Sequence, residues 1–501
     1  MNSKKIDLPL MGLSLVLIII VVILLAIFPE GGTNVIYSLF ALITKNLGAP
    51  ILWFGFTVFI YCCYMAFSKY GKIKLGEGDA EFTLFQYLAM MICAGLGSAC
   101  VIWSFVEWAY YYSSPAQGIE ASTTKAAEWA TAYNLFHWGF TPWAMFVVLA
   151  IPVAYAFHCK KVPALRFSTI CEYMLKGKTY ARPLGKLVDY LFVFCVVGGL
   201  SVTLGLGIPV ISAGLGEIFG FVPTFSINVI VTLCIALVFT LSSYVGIDKG
   251  MKKLSSINVY AAIVFILALL FTGPTRFILN EITDGLGIMI QNYVSMSLWT
   301  DPINNGGFPE SWTIFFYAFG IVYATLMAIF ITKVSKGRTM KQMICCVMFG
   351  GGSGCFVFFG INGSFSMNLQ LTGKMDVVNT LFEKGNAETI IGVLGHTVFG
   401  IAAVIAFVVI TVLFLATTLD SAAFSLSASS TKQLEENENT SPMLRLFWCI
   451  TLALIPLCMN FIGASLNTLQ TITIITSLPF IIVIICMTKG LFTWFKEDGI
   501  R

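Results

Sequence analysis

Charge is what this 501-residue chain has least of: 11% of its residues are Asp, Glu, Lys or Arg, against 58% that are hydrophobic. A soluble domain carries roughly 25% charged residues, so an ordinary soluble enzyme is excluded. Three histidines and scattered acids leave little for general acid–base or metal chemistry, and a net charge of +4 marks no nucleic-acid or acidic partner. No Ser/Pro-rich linker or low-complexity tract interrupts the chain, which therefore reads as one bundle. Cysteine is plentiful at 14, but none stands in an outward connection; Cys62, Cys63, Cys345 and Cys346 typify their apolar settings. A disulfide framework is excluded, and these thiols read as small, inert core residues.

Long apolar runs are what the chain has instead. Leu8–Phe28 carries no charge over about twenty residues, enough to cross a hydrocarbon core at 1.5 Å per residue. It is too long for a signal h-region and is kept as a membrane helix. Further helices are expected from about Pro50, Phe85, Glu128, Gly185, Phe225, Leu254, Trp312, Gln342, Gly400, Leu444 and Thr468. The chain thus reads as an all-α polytopic membrane protein of about twelve transmembrane helices.

Lysine and arginine orient it. Roughly two dozen of the 29 basic residues fall on alternate connections: Lys4 and Lys5, Lys69–Lys74, Lys160–Lys186, Lys249–Lys253, Lys333–Lys341, Lys432 with Arg445, and the tail from Lys489. The opposite connections hold Lys45, Lys125, Arg276, Lys374 and Lys384. Such asymmetry places both termini in the cytoplasm of a cell membrane. Two outward loops are long, Arg276–Ser311 and Thr372–Thr397; the apolar stretch Leu286–Leu298 in the first is too short to span and reads as an interfacial amphipathic helix. The tail past Lys489 is short, which speaks against an output domain.

Several expected helices are punctuated. The third carries Gly95 and Gly97, the fifth Gly198-Gly199 and Gly205-Leu206-Gly207-Ile208-Pro209, the eighth Gly320, and the ninth Gly350-Gly351-Gly352. Such glycines either break a helix, freeing carbonyls and amides for ions or substrates, or let helices pack closely. Only for the Gly95–Gly97 pair does the break stand as the favoured reading.

Aromatic residues cluster beside these points. Trp103, Trp108 and Tyr110-Tyr111-Tyr112 end the third helix, Phe136-His137-Trp138-Gly139 lies in the fourth, and Trp312, Phe315, Phe316, Tyr317, Phe319 and Tyr323 crowd the eighth. An aromatic face attracts a quaternary ammonium by about 0.5–2 kcal/mol per ring. Tyr112 and Trp312 read as interfacial belt residues, Trp138 as a binding residue, and His137 as a packing residue. Hydroxyls cluster in the tenth helix at Phe414-Leu415-Ala416-Thr417-Thr418, where a hard cation prefers such oxygens; helix–helix hydrogen bonding is the alternative. Asp420 and Glu107 are intramembrane acids, functional by default.

These residues resemble the betaine/carnitine/choline transporter (BCCT) family from about Phe85 to Thr468. The landmarks are Gly307-Phe308-Pro309, Ser311-Trp312-Thr313-Ile314-Phe315-Phe316-Tyr317, Ser335-Lys336-Gly337-Arg338-Thr339 and Phe136-His137-Trp138-Gly139. The resemblance implies the inverted-repeat (LeuT-type) fold of sodium/amino-acid symporters, usually assembled as homotrimers. Two leading helices (1–80) would precede a first five-helix repeat (81–275), the outward loop (276–311), a second repeat (312–490) and a short tail (491–501).

It also implies a site. The substrate tyrosine and tryptophan of carnitine/γ-butyrobetaine antiporters match Tyr110 and Trp138, and Tyr323 and Met327 match later antiporter positions. The usual Trp-x-Trp-Trp ending of the eighth-helix signature is Tyr317-Ala318-Phe319-Gly320 here, so Phe319 keeps one ring and Gly320 deletes another. The arginine that replaces sodium in sodium-independent antiporters matches Asn258. The threonine–serine pair of the sodium symporters matches Thr417-Thr418, with Phe414 in register; backbone carbonyls of Cys93 and Leu96 would complete that sodium site, and Thr203 is the candidate for a second.

The implied function is import of a betaine-type quaternary-ammonium zwitterion by sodium symport, with sodium as coupling ion, no organic cofactor and lipid as the surrounding partner. Its carboxylate would lie near freed amides around Gly95–Gly97. The competing readings are sodium-independent exchange of carnitine-like substrates, a betaine sensor, and a membrane enzyme; the last lacks any nucleophile–base pairing.

Overall fold

The computed structural model describes residues 6–95, 97–176, 178–245, 250–435, 438–461 and 466–500. Among them the chain is helical, with only two isolated backbone bridges, Ile6–Thr431 and Lys74–Thr339. Ten described helices are long and apolar enough to cross a membrane, or eleven if the bent pair Leu84–Gly95 and Ala99–Ser113 is one span. The helix expected from Leu444 is the shorter Pro442–Cys458. The protein is an all-helical, multi-pass membrane protein.

Burial separates a core from a shell. The windows in Thr124–Cys159, Phe308–Val334 and Ala181–Phe219 are 94%, 89% and 83% buried, whereas those in Leu8–Ile27 and Phe225–Tyr244 are both 28% buried. The shell helices turn residues such as Leu17, Ile20, Leu233 and Leu237 outward, as a lipid-facing surface requires.

Several sequence expectations need correction. The second helix starts at Pro29 and runs 39 residues to Phe67, so Pro50 and Lys45 lie inside it. In line with the packing reading of their glycines, the fifth, Ala181–Phe219, is continuous through all its glycines and Pro209, and Thr313–Val334 runs unbroken through Gly320. The outward stretch is helical from Thr275 to Leu298 and rests on the Thr124–His137 helix, where Thr131 donates to Glu281 at 2.7 Å.

Packing explains the glycines that do not break helices. A Cβ on Gly207 would stand 2.7 Å from Leu415, and one on Gly198 would stand 2.3 Å from the Thr473 hydroxyl. The indole of Trp143 is wedged between Gly95 and Gly351, whose Cβ positions are 3.0 and 2.3 Å from it. Lipid chains are as apolar as the helices, so association rests on such close approach. Gly351→Ala is expected to destabilise the protein by about 1–3 kcal/mol; a thermal unfolding midpoint equal to wild type would show that Trp143 has room to move.

The basic connections meet at one end of the bundle. The Ser335–Thr339 landmark grips the 69–75 connection: Leu75 N–H donates to Arg338 O at 2.8 Å and Gly337 N–H to Leu75 O at 2.7 Å. The Arg338 guanidinium lies 4.2 Å over the Tyr87 ring. Arg166 bridges Asp7 at 3.0 Å and buried Asp189 at 2.5 Å, and Lys160 pairs with Asp498 at 2.5 Å.

Candidate functional site

Two spans are interrupted at mid-bundle, and both line one cavity. One is the 60° bend between Leu84–Gly95 and Ala99–Ser113. Within it Gly97 has φ +47°, and a Cβ there would fall 1.9 Å from the Thr418 hydroxyl; both facts demand glycine. The other is in the fourth expected helix, where Thr124–His137 stops at Trp138 and the chain resumes as Phe140–Val148.

The cavity has a volume of about 510 Å³, within the usual range for small-molecule sites. Its walls include Gly95, Trp103, Glu107, Tyr110, Trp138, Phe146, Thr203, Trp312, Phe316, Phe319, Gly320 and Tyr323. A larger groove of about 620 Å³, lined by Tyr260, Val264, Phe399 and Val409, lies among outward-turned residues and offers no charged group. The chemistry belongs to the mid-bundle cavity.

Its rings are held in fixed relation. Trp138 stacks on Phe359 at 4.7 Å and meets Phe316 edge-on at 5.4 Å. Phe319 meets Tyr323 at 5.1 Å and Phe315 at 5.7 Å. The Tyr323 and Thr203 hydroxyls are 2.9 Å apart, so Thr203, the candidate for a second sodium site, positions a ring of the wall. Toward the outward loops, Tyr110 donates to Asn386 Oδ1 at 3.1 Å and packs on Phe382, Trp312 and Trp103. The belt readings for Trp312 and Tyr112 are corrected: Trp312 lines the cavity, and Tyr112 is buried against Trp108.

The acid is the feature that sequence reasoning placed least well. Glu107 is 1% exposed, yet lines the cavity. The indole N–H of Trp138 donates to both of its oxygens, at 2.9 and 2.8 Å, and the Tyr111 hydroxyl donates to Oε1 at 2.5 Å. Tyr111 also meets His137 Nδ1 at 2.8 Å, whose Nε2 is 3.0 Å from Thr313 Oγ1. With both nitrogens engaged and its ring stacked 4.8 Å from Phe316, His137 packs as expected. Glu107 and Trp138 form one unit, and the aromatic wall carries a built-in carboxyl group. Their separation of 31 positions gives no local spacing signal.

Of the six residues expected to bind substrate, Tyr110, Trp138, Phe319, Gly320 and Tyr323 share this cavity, and Met327 does not. Met327 is buried behind the floor, its methyl 3.4 Å from where a Gly95 Cβ would stand. Gly320 is backed by Met145, 3.2 Å from its Cβ position, which takes up part of the space the missing ring would fill.

Just below, the oxygens expected to hold sodium converge. The Thr418 hydroxyl lies 2.8 Å from Cys93 O and 3.0 Å from Phe414 O. Three oxygens from two helices at such spacing, in a cradle that a Cβ would fill, suit a small hard cation. The Thr417 hydroxyl instead turns to Leu413 O and Phe414 O of its own helix, at 2.9 and 3.0 Å. Leu96 lies outside the described residues. Asn258 is fully buried, its Nδ2 3.7 Å from Cys93 Sγ, beside the same cluster. Asp420 stands apart, accepting from Ser242 at 2.6 Å.

Broken helices around an aromatic, acid-bearing cavity at mid-bundle define a small-molecule transporter of the membrane. A sequence model described as "BCCT, betaine/carnitine/choline family transporter" matches residues 9–500, and the chain belongs to that family. It is 36% identical to a carnitine transporter of Acinetobacter baumannii over 97% of this chain and 88% of that one. It is 37% identical to the uncharacterized transporter YeaV of Escherichia coli over 87% and 90%, and 33% identical to the glycine betaine transporter OpuD of Bacillus subtilis over 94% and 91%. A solved sodium-coupled sialic acid symporter aligns over 85% of this chain and 81% of its own, with a TM-score of 0.44 and 12% identity.

Proposed function

We propose that the protein imports a betaine-type quaternary-ammonium zwitterion across the cell membrane by sodium symport, through alternating access between two inverted repeats, with both termini cytoplasmic. The observation that carries this reading is the pairing of Trp138 with Glu107 in the cavity wall. Stacked and edge-on rings offer π faces to a methylated ammonium, each by about 0.5–2 kcal/mol. The buried Glu107 carboxyl adds attraction for the positive end when it is ionised, while the zwitterion's carboxylate is directed to backbone amides near Gly95.

Sodium coupling is supported by the convergence of Cys93 O, Phe414 O and Thr418 Oγ1. Asn258 stands at the matching position for the antiporter arginine, so that position bears no fixed charge to substitute for the ion. Each sodium charge moving inward gains about 2.3 kcal/mol per 100 mV of membrane potential, enough to drive accumulation. Topology is supported by the gathering of the Lys69–Lys74, Lys160–Arg166 and Ser335–Lys341 connections with Asp7 and Asp498 at one end.

The test is uptake of labelled glycine betaine and carnitine into proteoliposomes, with and without an inward sodium gradient. Accumulation above equilibrium is expected only with the gradient. Equal uptake without sodium, requiring substrate preloaded inside, would establish exchange instead.

A further inference from the structure

Among the described residues that line the mid-bundle cavity, Glu107 is the one acid, and no lysine or arginine joins it there. Its two oxygens take the Trp138 indole N–H, and Oε1 also meets the Tyr111 hydroxyl. From Tyr111 the contacts run on to His137 Nδ1 at 2.8 Å, and from His137 Nε2 to Thr313 Oγ1 at 3.0 Å. Hydroxyl, imidazole and carboxyl groups can each donate or accept, so the chain from Glu107 to Thr313 has two complete settings. In one, Thr313 donates to Nε2, Nδ1–H donates to Tyr111, and Tyr111 donates to an ionised Glu107. In the other, Glu107 carries a proton and donates to Tyr111, Tyr111 donates to Nδ1, and Nε2–H donates to Thr313. No contact of the chain is lost between the two, and His137 is neutral in both.

An ionised carboxylate buried among aromatic rings with no cation beside it is costly, whereas the protonated setting leaves no charge to bury. A quaternary ammonium reverses the balance, because its fixed positive charge offsets the carboxylate. The titratable groups that face Glu107 are Tyr110, Tyr111 and Cys100 on its own helix. His137 and Tyr133 lie beyond Tyr111, and Cys355 lies beyond Cys100. The short outward helices meet Tyr110 through uncharged Phe382 and Asn386. None of these groups brings a positive charge while His137 keeps both nitrogens in the chain.

We propose that Glu107 is a proton-binding site in competition with the substrate's ammonium. It holds a proton in the empty cavity and gives it up to solvent as the quaternary ammonium settles against the Trp138 wall. Tyr111 and His137 are positioning residues that keep the carboxyl hydrogen-bonded in either state. The inference rests on the reading of the cavity as a quaternary-ammonium site and requires nothing of sodium. By linkage, a substrate that displaces one proton binds about tenfold more weakly for each pH unit on the acid side of the Glu107 titration. The substrate cannot itself produce this slope above about pH 5: a quaternary ammonium has no proton, and an ordinary carboxyl group is ionised there.

The experiment is equilibrium binding of labelled glycine betaine and carnitine to the purified full-length protein in detergent, from about pH 5 to 9 in saturating sodium chloride. Titration calorimetry in two buffers of different ionisation enthalpy counts the protons exchanged. Affinity is expected to fall about tenfold per pH unit toward acid, with about one proton released per substrate bound on that limb. Glu107→Gln, which keeps the shape of a neutral acid, is expected to give a flat profile and to release none. Tyr111→Phe withdraws a donor from the ionised carboxylate and is expected to move the midpoint to higher pH with the slope kept. A merely structural loss would lower affinity equally at every pH. The proposal is overturned by an affinity that is constant across the range with no proton released, or by a slope that survives in Glu107→Gln. If Glu107→Gln does not fold, a midpoint that Tyr111→Phe leaves in place overturns it. A pH-independent affinity that Trp138→Ala abolishes would reject this proposal and keep the binding site, whereas an affinity insensitive to Trp138→Ala would reject the site itself.

Discussion

Trp138→Ala is expected to weaken binding of glycine betaine and carnitine by about 30-fold or more, the equivalent of roughly 2 kcal/mol. The substitution removes a π face, and it also strips Glu107 of the indole N–H that donates to both of its oxygens. Phe316 and Phe359, which pack against the indole, lose the surface that holds them in place. Trp138→Phe separates these contributions, because it keeps a ring and deletes the N–H; its affinity is expected to fall between wild type and alanine. Equilibrium binding of labelled substrate to equal amounts of purified protein measures all three. An affinity for Trp138→Ala within a few-fold of wild type would remove this residue from the binding wall.

Thr418→Ala is the second large effect. Loss of the hydroxyl that lies against Cys93 O and Phe414 O is expected to raise the sodium concentration for half-maximal uptake by about tenfold or more. Uptake at saturating sodium should recover much of its rate, because the aromatic wall is untouched. Thr418→Ser keeps the oxygen and should behave like wild type. Thr417→Ala should have a smaller effect, since that hydroxyl is already engaged by Leu413 O and Phe414 O of its own helix. Sodium dependence unchanged in Thr418→Ala, or equally changed in Thr417→Ala, would contradict the assigned ligand set.

The membrane class, the aromatic and hydroxyl residues, and the family were all legible in the sequence, for a physical reason. A hydrocarbon solvent requires helices of a minimum apolar length, and the family landmarks are contiguous motifs. Tyr110, Trp138, Phe319 and Tyr323 were named from those motifs, and they line one cavity. The bend at Gly95–Gly97 was also legible, because two glycines stand close together in an otherwise strong apolar run.

The glycines of the Ala181–Phe219 helix have similar local sequence and no break. What differs is their neighbours: Leu415 and Thr473 occupy the space beside Gly207 and Gly198. One-dimensional pattern cannot separate a glycine that frees backbone from one that admits another helix, since both look like an absent side chain. The same limit applies to Trp312, Met327 and Glu107. Helical spacing says that a residue lies in a span; which face meets the cavity is set by packing against other helices, tens to hundreds of positions away. Only the tertiary structure placed Trp312 in the wall, put Met327 behind Gly95, and joined Glu107 to Trp138, because those contacts are made between helices and leave no trace in local spacing.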